Sequence, residues 1–271
     1  MRISTGGNAL YHQGKFAEAS AKYQKATELN PNDPAAFNNL GNVLALQRKF
    51  GDADAKYRRA TELKSDYADA YYDWGIALYH QGNSAEASTM YKKAIKLMPD
   101  FADAYNRCGR ALYDQGKFAD AIAMYKKATE LKPDYADAYY YWGAALYHQG
   151  KFREAGANYQ KVTELEPNEP EAYENWGNML ALQRKFADAT AKYRRATDLK
   201  PDYVDAYFDW GVALYHQGKF ADASAKFQKA TELRPDYAEA FNNWAYTLDK
   251  QGKHEEAKSK RAITAKLLAH H

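Results

Sequence analysis

"ALYHQG" stands at residues 9–14 and recurs at 77–82, 145–150 and 213–218, so successive copies begin 68 residues apart. Between them, in the same frame, lie "VLALQR" from Val43, "ALYDQG" from Ala111, "MLALQR" from Met179 and "TLDKQG" from Thr247, which halves the interval to 34. A fixed period of that size marks a repeat array, in which one supersecondary unit is copied and each copy buries its apolar face against the next.

Taking Pro34 as the first position of a repeat puts later starts at Ala68, Ala102, Ala136, Pro170, Val204 and Ala238. The chain then reads as eight repeats without a linker, at 1–33, 34–67, 68–101, 102–135, 136–169, 170–203, 204–237 and 238–271, forming one elongated domain. Position 8 is glycine from Gly7 to Gly211 and becomes Ala245 in the last repeat, while position 20 is alanine from Ala19 to Ala257. Position 4 is aromatic from Phe37 to Phe241, position 7 is usually Trp, position 11 is always Leu and position 24 is usually Tyr. Positions 4, 7, 8 and 11 share one helical face, as do 17, 20, 24 and 27. Each repeat is therefore two amphipathic helices, the first ending near the Gln-Gly of "HQGK" and the second near a "KPDY" boundary, where Gly and Pro give the stop and start signals. Two such helices cannot bury this much aromatic surface alone, so the expected fold is all-α, an α-solenoid.

Composition excludes several classes. The 38 Lys and Arg against 35 Asp and Glu leave a net charge of only +3, short of the basic excess of a nucleic-acid binder. No run approaches the roughly 18 apolar residues of a membrane span, and "MRISTGGNAL" lacks a signal peptide's pattern, which points to a cytoplasmic protein. Cys108, the single cysteine, has no partner for an internal disulfide and occupies a core position. His12, His80, His148 and His216 recur at position 13 of alternate repeats. Packed helices lie about 8–10 Å apart, and metal ligands must converge to about 2.0–2.1 Å from one ion, so we assign no metal site. "GNALYHQGK" departs from a phosphate loop in spacing and has Phe after its Lys. With no Ser-His-Asp or Cys-His arrangement, we expect neither catalytic residues nor a cofactor. His270 and His271 read as part of a purification tag.

The stretch "AYYYWGAALYHQGKFREAGANYQKVTELEPNE" at 138–169 resembles the tetratricopeptide repeat family in its aromatic or Trp, Leu-Gly, Tyr, Gly-x-(Phe/Tyr), Ala, Tyr, Ala and closing Pro, and the pattern runs along the whole chain. Departures are local: Arg48 and Arg184 replace the turn Gly, Asn83-Ser84 replaces Lys-Phe, Cys108 replaces Trp, and Ser65 replaces Pro. The resemblance implies a right-handed superhelix of helix-turn-helix units whose first helices line a concave groove. It also implies a non-enzymatic scaffold that binds protein. The family's tail receptors hold a carboxylate with Lys and Arg at position 2, where this chain has Asp69, Asp103, Asp137, Glu171, Asp205 and Glu239, so that mode is disfavoured. "FNNLGN" at 37–42, "ENWGN" at 174–178 and "NNW" at 242–244 are closer to the asparagine ladders of other members, with Asn39, Asn175 and Asn243 sharing position 6.

With 4, 7, 8 and 11 buried, the first helix exposes positions 2, 5, 6, 9, 12 and 13, and there the chemistry varies most. The expected ligand is an extended peptide or an amphipathic helix. Its backbone would bond Asn39, Asn42, Asn175 and Asn178, its apolar groups would meet Tyr72, Tyr140 and Phe208, and Asn38 and Asn243 join the peptide-binding set. Arg110, His80, His148 and His216 add polar contacts, and the acids at position 2 form a rim that favours a basic partner. The basic "KYRRA" runs at 56–60 and 192–196 fall on second helices and read as a solvated outer face, so no nucleic-acid partner is expected. "LALQRKF" occurs at 44–50 and again at 180–186, so four repeats form a block copied once, a pattern that tandem duplication and deliberate construction both produce. The alternative reading is therefore a structural or engineered array that self-associates through its terminal repeats. His254, Arg261 and Thr264 make the last repeat polar, whereas the first begins at position 2 and has Gly6 where Trp is usual, so a homo-oligomer would form through the N-terminal repeat.

Overall fold

The computed structural model describes residues 2–269, with side chains from Gly6 onward, so the tag reading of His270 and His271 lies outside the described residues. Among those residues the chain is helical and without strands. Contacts divide it into two compact units, Met1–Ala138 and Tyr139–His271. The first holds α1 (Arg2–His12), α2 (Phe16–Leu29), α3 (Pro34–Leu46), α4 (Phe50–Leu63), α5 (Ala68–His80), α6 (Ser84–Leu97), α7 (Ala102–Asp114) and α8 (Phe118–Leu131). The boundary falls inside α9 (Ala136–His148), and the second unit continues with α10 (Phe152–Leu165), α11 (Pro170–Leu182), α12 (Phe186–Leu199), α13 (Val204–His216), α14 (Phe220–Leu233), α15 (Ala238–Lys250) and α16 (His254–Leu268). In each unit, helices adjacent in the chain pack against one another, as a helical solenoid requires.

The helix ends follow from local chemistry. Each first helix closes with an amide reaching back five residues to the carbonyl of the position-11 leucine, as Lys15 does to Leu10 at 2.9 Å and Lys117 to Leu112 at 2.9 Å. That bond requires the preceding residue in the left-handed region. Glycine supplies it at Gly14, Gly82, Gly116, Gly150, Gly218 and Gly252, but at Arg48 (φ 61°) and Arg184 (φ 62°) a side chain is carried there. The turn is thus conserved in shape even where the sequence departs from glycine. At the start of α3, Asp33 caps the helix by accepting from the amides of Ala35 and Ala36, and Pro34 stands at the first helical position, where a missing amide costs nothing.

Within a repeat, the two helices meet where glycine faces an aromatic ring. A Cβ on Gly41 would lie 2.8 Å from Tyr57, and on Gly177 2.6 Å from Tyr193. In the last repeat both partners change: Arg261 replaces the ring, and position 8 carries the methyl of Ala245. The position-20 alanines, from Ala19 to Ala257, are all fully buried, so no larger side chain fits without displacing a helix. The position-7 tryptophans are only half-buried. Lysines of the second helices lie over their faces, with Lys192, Lys226 and Lys260 at 3.7, 3.7 and 3.8 Å from the ring centres of Trp176, Trp210 and Trp244. Much of the basic second-helix surface is engaged in this way, or in ion pairs such as Arg58 with Asp54.

Candidate functional site

First helices of adjacent repeats lie side by side within a compact unit, α3 beside α5 and α11 beside α13. This arrangement buries position 5 more deeply than the face pattern predicts: Asn38, Asn106 and Glu174 are 3%, 1% and 9% exposed. The reason is that position 5 points at the next first helix and bonds to it. Asn38 donates to Asp73 Oδ2 at 2.8 Å, and Asn106 to Asp137 Oδ2 at 2.7 Å.

Asn42 extends the first of these contacts into a chain. Tyr57 donates its hydroxyl to Asn42 Oδ1 at 2.8 Å, and Asn42 donates to Asp73 Oδ2, also at 2.8 Å. Asp73 thus receives two amides on one oxygen. Its carboxyl is raised above the usual carboxylate range by burial, which the two amide donors oppose and the nearby Asp69 reinforces. The same chain appears in the second block, where Tyr193 donates to Asn178 at 2.7 Å and Asn178 donates to Glu174. Glu174 stands where the first block has Asn38, and it faces Asp209, the counterpart of Asp73. Burial, followed by the charge of Glu174, pushes the Asp209 carboxyl up to about 8. Two carboxyl groups in contact cannot both ionise cheaply, so the pair retains a proton that a lone carboxyl would lose. Tyr203 donates to the other Glu174 oxygen at 3.3 Å.

The remaining candidates divide into packed and open groups. Tyr72 is half-buried against Phe101 and Tyr91, with ring centres 4.6 and 5.9 Å away. Phe208 is held in the same way by Tyr237 at 5.0 Å and Phe227 at 5.7 Å. Tyr140 lies 5.6 Å from Tyr159 and accepts a hydrogen bond from Asn175 at 3.1 Å. Arg110 is half-buried with its guanidinium 5.9 Å from the Tyr79 ring centre. His80, His148 and His216 are exposed, and the His216 ring stacks on Phe186 at 4.7 Å. Among the described residues no group of three or more His, Cys, Asp or Glu side chains is arranged to hold a metal ion. Cys108 is fully buried, its thiol is pushed up to about 12 by that burial, and its Sγ lies 3.7 Å from the Ser88 carbonyl oxygen.

Three cavities open along the first helices. One of about 210 Å³ is lined by Asn8, Tyr11, His12, Tyr23, Asn39 and Asn42. A second of about 360 Å³ shares Tyr11 and Asn42 with it and is lined further by Leu46, Asp73, Ile76 and His80. In the C-terminal compact unit, a cavity of about 300 Å³ is lined by Val212, Tyr215, His216, Asn243 and the exposed Tyr246, with Phe227 at its floor. The structure therefore brings Asn39, Asn42 and His80 to two neighbouring cavities that share Tyr11 and Asn42 as walls, and His216 to Asn243, while Tyr72 and Phe208 serve packing contacts. Sequence reasoning passed over Asp73 and Asp209. Their signal was present, since both occupy position 6, the column of Asn39, Asn175 and Asn243.

A family model described as TPR repeat matches residues 7–48, 75–116, 109–150, 143–184, 177–218 and 211–252, well over half of the chain. No curated protein matched. Among solved structures, YrrB, described as a TPR protein with an unusual peptide-binding site, is 28% identical with a TM-score of 0.62 over 68% of this chain and 95% of its own. The MamA protein is 27% identical with a TM-score of 0.60 over 64% of this chain and 94% of its own. The C-terminal part of a TPR repeat-containing protein from Cytophaga hutchinsonii has a TM-score of 0.76 at 19% identity, over 89% of this chain and 98% of its own, a likeness of fold alone.

Proposed function

Because the chain belongs to the tetratricopeptide repeat family, a fold of protein–protein interaction scaffolds, we propose that it holds an extended peptide or amphipathic helix against its first helices, without catalysis. The observation that carries this reading is the placement of three cavities on first-helix residues, where half-buried amides alternate with aromatic and aliphatic walls. Polar groups at the base of an apolar cleft orient a ligand, and the walls supply its burial. YrrB, whose description names a peptide-binding site, supports the same use of the fold. Of the acids at position 2, Glu171 and Asp205 pair with Lys200 and Arg234, whereas Asp69, Asp103, Asp137 and Glu239 make no ion pair among the described residues and favour a basic partner; the small net charge argues against nucleic acid. No helix among the described residues is long and apolar enough to cross a membrane, and a cytoplasmic location is part of this proposal.

The test is selection of peptides from a random display library on the immobilised full chain, followed by binding to Tyr246→Glu and Ile76→Glu variants. Tyr246 is 51% exposed, so its replacement changes the cavity without touching the core. Selected peptides should lose most of their affinity for one or other variant. Peptides that bind both variants as tightly as the parent would refute the groove as the binding face. Self-association through the N-terminal repeat, where Leu29 is 61% exposed, is the competing reading, and it requires a sedimentation coefficient that rises with protein concentration.

A further inference from the structure

The 360 Å³ cavity of the N-terminal compact unit combines two kinds of wall. Tyr11, Leu46 and Ile76 make an apolar side, with Leu46 52% exposed, and the half-buried Asp73 makes an acidic end. Asn38 and Asn42 both donate to Asp73 Oδ2, while no described group donates to Oδ1. The charge acting on this carboxyl is another acid, Asp69, and among the described residues no lysine or arginine pairs with it. Arg48 also lines the cavity but is exposed on the turn that closes α3, outside ion-pair distance of Asp73. An uncompensated carboxylate at the end of an apolar trough matches a side chain with a long methylene stem and a cationic head.

Lysine and arginine are distinguished by the oxygens on offer. The guanidinium fork is best satisfied by both oxygens of a carboxylate, and here the two amides already occupy one of them. A single free oxygen suits the compact ammonium. We propose that this cavity receives a lysine side chain of the partner peptide, its ammonium on Asp73 Oδ1 and its stem between Tyr11, Leu46 and Ile76. This deepens the groove reading, and rests on it, by naming the residue recognised. In the second block the equivalent place is held by Glu174 and Asp209, and the His216 ring stacks on Phe186, so the two copies are not interchangeable.

The experiment uses the full chain labelled at isoleucine δ-methyl groups, where Ile76 is one of five isoleucines and reports on the cavity. Three blocked alanine-based pentapeptides, with central lysine, arginine or norleucine, are titrated to millimolar concentration. The lysine peptide should shift the Ile76 methyl and bind at least about tenfold more tightly than norleucine, the scale of one charge-assisted hydrogen bond. Asp73→Asn should abolish that preference, and Asp209→Asn should leave the Ile76 response intact. Leu46→Lys, at an exposed position that does not endanger folding, should also abolish it by placing a competing ammonium at the cavity. Equal affinities for lysine and norleucine, tighter binding of arginine, or an unmoved Ile76 would each overturn the lysine site. If peptides selected for groove binding still bind and are lost on Tyr246→Glu, only the lysine site has failed. If no selected peptide responds to either groove variant, the groove reading falls with it.

Discussion

A Cβ on Gly109 would stand 2.6 Å from Cε1 of Tyr125, closer than any real methyl approaches a ring. Tyr125 is fully buried, so its ring cannot swing out into solvent and must give way within the core. Gly109→Ala should therefore destabilise by about 1–3 kcal/mol through overpacking, net of the roughly 1 kcal/mol that alanine gains in helix propensity. Gly143→Ala, where the nearest ring atom is at 3.1 Å, should cost less. Urea unfolding midpoints check both, and a Gly109→Ala protein as stable as the parent would refute this account of position 8.

The two left-handed arginines predict gains. A side chain in that region costs about 1–2 kcal/mol relative to glycine, partly offset by glycine's greater freedom in the unfolded chain. Arg48→Gly and Arg184→Gly should each raise the melting temperature, and the pair should act additively because the sites lie in separate compact units. Lower melting in either variant would show that the arginine side chain makes a stabilising contact at the turn.

Asn42 should matter to stability as well as to binding. Asn42→Ala leaves the buried Tyr57 hydroxyl without its acceptor and removes one donor from Asp73. The expected loss is about 1–3 kcal/mol. A double-mutant cycle with Tyr57→Phe should show the two changes to be strongly non-additive, and simple additivity would mean the bond carries no stability.

The carboxyl pair gives a pH dependence of definite sign. Asp209 binds its proton more tightly in the folded state, with a value of about 8, than in the unfolded chain, where carboxyls titrate near about 3.9. Its contribution is fully present below the unfolded value and is lost as pH rises through about 8. The groups that act on it are Glu174 and Asn178 on α11, Asp205 on α13, Tyr193 on α12 and Tyr237 before α15, with Tyr203 reaching it through Glu174. Unfolding midpoints should fall between pH 5 and 8.5, and Asp209→Asn should flatten that fall and exceed the parent in stability at the alkaline end. An equal slope in the two proteins would rule out Asp209 as its source.

The repeat period, the helix pairs and their packing faces could be read from the sequence because each rests on chemistry within about 34 residues. Gly7 through Gly211, the alanines from Ala19 to Ala257 and the leucines at position 11 need no distant partner to reveal their roles. The turns at Arg48 and Arg184 show where such reading weakens, since their shape is held by the bonds from Lys49 to Leu44 and from Lys185 to Leu180 in place of a permissive residue. Asn38 and Glu174 mark its limit. Helical periodicity turns position 5 outward from its own repeat, and only the neighbouring first helix covers it, so its burial depends on a residue about 35 positions away. For the same reason Asp73 and Asp209 look alike in sequence and differ in the fold. One meets the amide of Asn38 and the other meets the carboxyl of Glu174, and a charge takes its behaviour from the groups that tertiary structure places against it.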